Sequence, residues 1–292
     1  MKDQSHNAEN KNISLTDEEF KLLRDFIHEK TGIYIDDKRK YFLEIRLSNR
    51  IKKLNLSSYK DYYYYLKYDP NRNEELKNLF NVITTNETSF FRNPIQLKIF
   101  EKEILPKVIE QKRKSIIKKI RIWSAGCSTG EEPYTIAIIV SEVLGREKKL
   151  WNIKIIGNDL SPQVIETAKR GIYMEYTLRN TPKHIIEKYF TQIEKGKYEI
   201  SSELKKMVYF HTINLIDRSQ TNQVEMCDII FCRNVLIYFD DENKRKVVNN
   251  LYDRLVPGGY LFVGHSENLH NITRAFVPCS YPGGFVYQKV VK

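Results

Sequence analysis

The chain has 292 residues, 41% hydrophobic and 29% charged, with a formal net charge of +11. That length suits one large or two modest domains, and the composition is that of a folded globular protein rather than a disordered or fibrous one. No apolar run approaches the ~20 residues of a membrane-spanning helix, and the polar, mixed-charge stretch Met1–Asn10 is unlike a secretory signal, so a cytoplasmic protein is expected.

Residues 14–85 read as helical throughout, and an all-helical domain is predicted over 1–85. Thr16-Asp-Glu-Glu19 forms a capping box ahead of Phe20, Leu23, Phe26 and Ile27, and Gly32 supplies the stop. Residues 38–53 then hold seven basic side chains against one acid. Arg39, Arg46, Arg50 and Lys53 recur at intervals of 7, 4 and 3, one stripe on a helix of ~3.6 residues per turn. Leu43, Leu47, Ile51 and Leu54 form the neighbouring apolar stripe. Such a ridge suits either plain solvation or docking to an acidic partner. Ser57-Ser58 opens a tyrosine-rich helix closed by Pro70, with Tyr59, Tyr62, Tyr63 and Leu66 on its core side, and a further helix is predicted over 74–83.

Residues 86–94, Asn86-Glu-Thr-Ser-Phe-Phe-Arg-Asn-Pro94, read as an interdomain linker that carries site residues. Its Arg92 is the sharpest signal, because a guanidinium clamps a carboxylate bidentately. A long amphipathic helix follows (Ile95, Ile99, Ile104, Leu105, Val108), within a basic stretch, 98–121, that reads as a solvated face. Lys119–Trp123 is strand-like and runs through the small-residue turn Ser124-Ala-Gly-Cys-Ser-Thr-Gly130 into an apolar helix. Strand, turn and helix in that order bring a ligand close to the backbone at a helix N-terminus. Only Gly126 and Gly130 of a dinucleotide fingerprint remain, and Glu131 and Glu132 occupy the helix start. Two carboxylates there repel a pyrophosphate and suit a ligand with a positive end, such as the ammonium and sulfonium of S-adenosylmethionine. Methyl transfer, not hydride transfer, is expected.

A second strand, 151–159, ends in Asp159, which suits either the ribose hydroxyls of a ligand or a helix cap ahead of Ser161-Pro162. Further strands are predicted over 208–213, 228–232 and 260–264, with a helix over 240–255, a turn at Pro257-Gly-Gly259 and a closing hairpin over 276–290. Alternating strands and helices imply an α/β domain over 95–292 built on a mostly parallel sheet. Within it, 171–207 breaks the alternation and reads as an inserted helix plus a small β-element. Asn214-Leu215 ends the third strand of this sheet, where it can offer adenine a polar contact and an apolar wall or merely cap a turn. Cys232-Arg-Asn-Val-Leu-Ile-Tyr-Phe239 leaves the fourth. Amino-methylases of nucleic-acid bases carry an Asn/Asp-Pro-Pro-aromatic clamp at that point, and no Pro-Pro follows Asn234, which argues against an exocyclic amine as acceptor despite the basic charge. Cys127, Cys227, Cys232 and Cys279 form no Cys-x-x-Cys pair and are expected as free thiols, with no metal site.

Four stretches together resemble the chemotaxis receptor glutamate O-methyltransferases, the CheR-type family: Thr84–Arg92, Ile122–Tyr134, Phe231–Phe239 and Gly264-His-Ser-Glu-Asn268. The resemblance runs in order along nearly the whole chain. It implies a Rossmann-like catalytic domain behind a helical receptor-docking domain, S-adenosylmethionine as cofactor and S-adenosylhomocysteine as product. It implies that Asp159 holds the ribose and that Asn214 and Leu215 line the adenine site. Asn86, Thr88, Arg92, Glu132, Arg233 and Asn234 would contact or shape the methionine end beside Gly126, with Arg92 and Tyr238 placing the acceptor side chain. Gly264–Glu267 would support the pocket floor. The implied partner is the cytoplasmic helical region of transmembrane receptors, reached through Arg39, Arg46, Arg50 and Lys53. Family members tethered to a receptor tail carry a glycine-rich loop in the inserted β-element. Here the turn near Glu194–Tyr198 keeps only Gly196, which argues against tethering. Two other readings stay open: a nucleic-acid methyltransferase and a non-catalytic module that senses the cofactor.

Overall fold

A computed structural model of the chain describes residues 13–290, so the polar run Met1–Asn10 lies outside it. The described residues form two compact units that part between Ile83 and Thr84.

The first unit contains four helices: α1 (Asp17–Thr31), α2 (Lys40–Lys53), α3 (Tyr59–Tyr68) and α4 (Arg72–Ile83). Thr16 caps α1 by accepting from the Glu19 backbone N–H at 3.2 Å while the Glu19 carboxylate accepts from the Thr16 N–H at 2.9 Å. Left-handed Gly32 ends the helix. One apolar cluster joins Leu23 and Ile27 to Leu43, Leu47, Tyr59, Tyr62 and Leu79. The charged groups of this unit depart from the sequence reading. Arg50 turns inward and holds Glu75 with two donors, one of them Nε at 2.9 Å, and the Tyr62 hydroxyl donates to the same carboxylate at 2.7 Å. Glu75 is 3% exposed, so Arg50 neutralises a buried acid and is not part of a docking ridge. Arg46 is half-buried and donates to the Val82 carbonyl, whereas Arg39 and Lys53 remain exposed.

The second unit opens with α5 (Pro94–Ile99), which continues through a π-helical turn (Phe100–Ile104) into α6 (Leu105–Arg113). Pro106 lacks a backbone N–H and cannot extend the regular ladder, so the widened turn just before it has a local cause. Ile95 faces outward at 51% exposure and is not part of the apolar stripe expected of it.

In chain order there follow β1 (Lys119–Ala125), α7 (Glu131–Leu144), β2 (Asn152–Asp159), α8 (Pro162–Arg170), β3 (Ile172–Met174), α9 (Lys183–Tyr189), β4 (Phe190–Glu194), β5 (Lys197–Ile200) and α10 (Ser202–Lys205). After these come β6 (Val208–Thr212), α11 (Arg218–Thr221), β7 (Cys227–Cys232), α12 (Asp241–Asp253), β8 (Leu255–Val263), β9 (Phe276–Tyr281) and β10 (Gly284–Lys289). The main sheet has the order β6-β2-β1-β7-β8-β10-β9, and β3-β5-β4 form a separate small sheet. Strands β6, β2, β1, β7 and β8 are parallel, and β10 runs antiparallel to β8. Strand β1 is apolar on both faces, with Ile120 and Ile122 packing into one core and Trp123 and Ala125 into the other, as a sheet covered on both sides requires. The expected turn at Pro257 is absorbed into β8, where the pairing with β7 shifts register between Cys227 and Ile229. Strand order reverses between β1 and β7, which opens a crevice at their carboxyl ends.

Candidate active site

The crevice begins where β1 ends. Gly126 (φ +75°) and Gly130 (φ +94°) turn the chain into α7, and the backbone N–H groups of Gly126 and Cys127 donate to the Asn158 carbonyl at 2.9 and 2.8 Å. A Cβ on Gly126 would lie 2.5 Å from a Val235 methyl, so only glycine allows the ends of β1 and β7 to approach this closely. The buried Asn158 side chain accepts from the Trp123 indole at 2.7 Å and donates to the Ile213 carbonyl at 3.1 Å. One amide thereby fixes the ends of β1, β2 and β6 against each other.

Next to it, Asp159 is 8% exposed and accepts from the backbone N–H groups of Ser128 at 2.9 Å and Ser161 at 3.1 Å. It forms no ion pair among the described residues. Burial raises its pKa, and the backbone donors oppose that only in part. A buried carboxylate with spare lone pairs and no cation calls for further hydroxyl donors.

The two acids at the start of α7 behave differently from the sequence expectation. Glu131 is buried, takes two contacts from the Thr129 hydroxyl at 3.0 and 2.7 Å, and has its pKa pushed by burial to about 7. Glu132 accepts from Ser124 at 2.8 Å and pairs with Arg233 at 2.9 Å. The electrostatic argument from two free carboxylates to a cationic ligand therefore does not hold, since one is turned inward and the other is neutralised.

Arg233 is a hub. Besides Glu132, it donates to Gln96 at 2.9 Å and to the Arg92 carbonyl at 2.7 Å, while Gln96 donates to the Val263 carbonyl at 2.6 Å. The guanidinium thus ties α5 and α7 to the end of β7, and it shapes the site. Residues 86–94 are built into the second unit and do not bridge loosely. The Phe90 N–H donates to the Thr177 carbonyl at 3.0 Å, the Phe91 N–H to the Thr135 hydroxyl at 3.2 Å, and the Phe90 ring meets Tyr173 and Phe190 edge-on. Phe91 (φ +52°) and Asn93 (φ +58°) hold strained left-handed conformations on either side of Arg92, whose guanidinium donates to the Glu87 carbonyl at 2.9 Å. The Asn86 carbonyl accepts from Ser128 at 3.3 Å, which places the start of this segment over the β1 turn, and Thr88 is half-buried.

A cavity of about 510 Å³ lies beside Asn234, walled by Arg92, Gln96, His265, Gly283 and Phe285. Asn234 is left-handed (φ +59°), and Tyr238 follows half-buried on a short 3-10 turn. Asn214 sits in the turn after β6, where its side chain accepts from the Ile216 N–H at 3.3 Å; Leu215 beside it is buried. All four cysteines are free, and burial raises the pKa of Cys127, Cys227 and Cys232, which makes them unreactive.

Residues 86–284 match the SAM-binding domain of the CheR methyltransferases and residues 18–84 match their all-alpha domain. The chain belongs to the CheR methyltransferase family. It is 36% identical to chemotaxis protein methyltransferase 2 of Vibrio cholerae serotype O1, over 90% of each chain. It is 37% identical to the chemotaxis protein methyltransferase of Borreliella burgdorferi, over 91% of this chain and 93% of that one. The Escherichia coli chemotaxis protein methyltransferase is 32% identical over 90% and 89%. The protein is a methyltransferase with a Rossmann-like fold, and S-adenosylmethionine is its cofactor. The residues present fit that group, since the buried Asp159 carboxylate accepts from two backbone N–H groups, pairs with no cation among the described residues and keeps lone pairs for hydroxyl donors. Sequence reasoning missed Asn158 and Gln96, whose polar side chains at strand and helix ends gave no motif. It left Glu267 as floor support. Among the described residues no helix is long and apolar enough to cross a membrane.

Proposed function

We propose that this enzyme methylates glutamate side chains in the cytoplasmic helical region of transmembrane chemotaxis receptors, forming γ-methyl esters. The cavity next to Asn234 carries this reading: among the described residues that line it, Arg92 and His265 are the ionisable ones and none is an acid. Such a space suits an anionic acceptor. The bound cofactor supplies an electrophilic methyl group on a sulfonium. A glutamate side chain, with a pKa near ~4.3, is ionised at neutral pH and needs no general base. The protein's work is to desolvate and orient it. Arg92 has one donor engaged by the Glu87 carbonyl, so it steers one acceptor oxygen with those remaining and leaves the other free to attack. Tyr238, on the loop that follows Asn234, is assigned to placing the acceptor with Arg92, although it is not among the described residues lining this cavity.

Recognition is assigned to the helical unit through exposed Arg39 and Lys53 with part of Arg46, Arg50 being committed to Glu75. No receptor-tail tether is invoked, since the turn between β4 and β5 is only Lys195-Gly196. The test uses labelled S-adenosylmethionine and receptor-bearing membranes. An ester releases labelled methanol on mild base treatment; label that resists base rejects the glutamate reading. A chain carrying Arg39→Glu with Lys53→Glu is expected to methylate receptor at least about fivefold more slowly at unchanged S-adenosylhomocysteine affinity. Equal rates would reject the docking face.

A further inference from the structure

Glu267 follows β8 and is 6% exposed, yet no cation pairs with it among the described residues. Its carboxylate is instead filled by backbone donors. Oε2 accepts from the N–H groups of Asn234 at 2.8 Å and Gly264 at 2.5 Å, and Oε1 accepts from Ile237 at 3.2 Å. Desolvating an unpaired carboxylate is expensive unless hydrogen bonds compensate. Two of the three donors belong to the loop after β7, the one that carries Asn234 and Tyr238. Asn234 adopts a left-handed backbone that a non-glycine residue holds only when its surroundings impose it. Gly264 is shaped to the same contact: a Cβ there would lie 2.5 Å from Glu267 Oε2 and 2.9 Å from the Asn234 nitrogen.

We infer that Glu267 is a positioning residue for methyl transfer, an anionic staple that sets the loop from Asn234 to Tyr238 at the acceptor cavity. The inference rests on the reaction proposed above. The ribose-side acid Asp159 ends β2 and is held by the Ser128 and Ser161 N–H groups, so that part of the cofactor site does not hang on Glu267, although Val235 of the stapled loop packs against Gly126.

Glu267→Gln keeps the shape but turns one acceptor into a donor, and the amide cannot accept from all three N–H groups. Charge-assisted hydrogen bonds contribute enough that the variant is expected to lower kcat by about tenfold or more, with S-adenosylhomocysteine affinity within about threefold and KM for receptor little changed. Combining it with Tyr238→Phe is expected to cost less than the product of the two single losses, because both act through one loop. Gly264→Ala disturbs the staple from the opposite side and should show the same signature. Unchanged kcat in Glu267→Gln, multiplicative losses with Tyr238→Phe, or cofactor affinity falling in step with kcat would overturn the inference. So would failure of both variants to fold, which would make the carboxylate a structural group. Absence of receptor methylation by the unmutated enzyme would instead sink the proposed reaction.

Discussion

Two pairs of carboxylates at opposite ends of the parallel sheet are held in opposite ways. At the amino end, Glu225 meets Arg121 at 2.7 Å, Lys119 at 3.0 Å and Lys154 at 3.0 Å, and Asp228 meets Lys112 at 2.5 Å while accepting from the Arg121 N–H at 2.8 Å. Both of these acids have a cation. At the carboxyl end, Asp159 and Glu267 are buried against backbone N–H groups alone. Paired charges stabilise the strand ends, whereas acids held by backbone donors keep their positions and stay available, or keep something else in place. The amino ends of the strands are thus tied by ion pairs, whereas Asp159 and Glu267 at the carboxyl ends are held by backbone donors beside the proposed site.

The strongest way to break this distinction is at Asp159. Asp159→Asn removes the charge that would receive the ribose hydroxyls, and S-adenosylhomocysteine affinity measured by calorimetry is expected to fall about 100-fold. The ligand-free melting temperature should change little, because the substitution also removes a buried carboxylate whose ionisation is disfavoured. A variant whose melting temperature fell sharply while its S-adenosylhomocysteine affinity stayed unchanged would erase the contrast between the two ends.

Glu225→Gln tests the other edge and should give the reverse result. Burial acts to raise the Glu225 pKa, but the hydrogen bonds from Arg121, Lys154 and Lys119 outweigh it and bring it down to about 2. A depressed carboxylate pKa contributes stability above its ordinary value of 4.5 that is lost as pH falls towards about 2. Glu225 is 29% exposed, so solvent screening reduces the network to about 1–2 kcal/mol. The variant is expected to unfold earlier in urea at pH 7, with the difference vanishing near pH 2 and with kcat unaffected. A fall in kcat would show that the amino edge reaches the chemistry.

What could be read from the sequence divides along similar physical lines. The β1 turn was legible because a left-handed glycine and a helix start are local requirements, visible in adjacent letters. So were the parallel sheet and the closing hairpin, whose periodicity and turn residues are also local. Partnerships were not legible. Arg50 looked like one more member of a basic stripe until Glu75, 25 residues on, claimed it. Glu132 looked free until Arg233, 101 residues away, neutralised it, and Gln96 meets that same arginine across 137 residues. The spacing of charges on one helix says which face they share, not what folds against that face.

Glu131 sharpens the comparison within the carboxyl edge itself. It is 1% exposed, and its side chain takes the Thr129 hydroxyl and its own backbone N–H, not two N–H groups from neighbouring segments. Burial therefore prevails and raises its pKa to about 7 from an ordinary 4.5. A folded pKa above the unfolded one means the stabilising contribution is complete below pH 4.5 and is lost as pH rises through about 7. Glu131→Gln cannot ionise and keeps an acceptor for Thr129. Its melting temperature should match that of the unmutated chain below pH 4.5 and exceed it by several degrees at pH 8. A gap that stayed constant from pH 5 to pH 8 would mean that Glu131 does not titrate in this range. The turn into α7 would then hold its acid as firmly as the strand ends hold theirs.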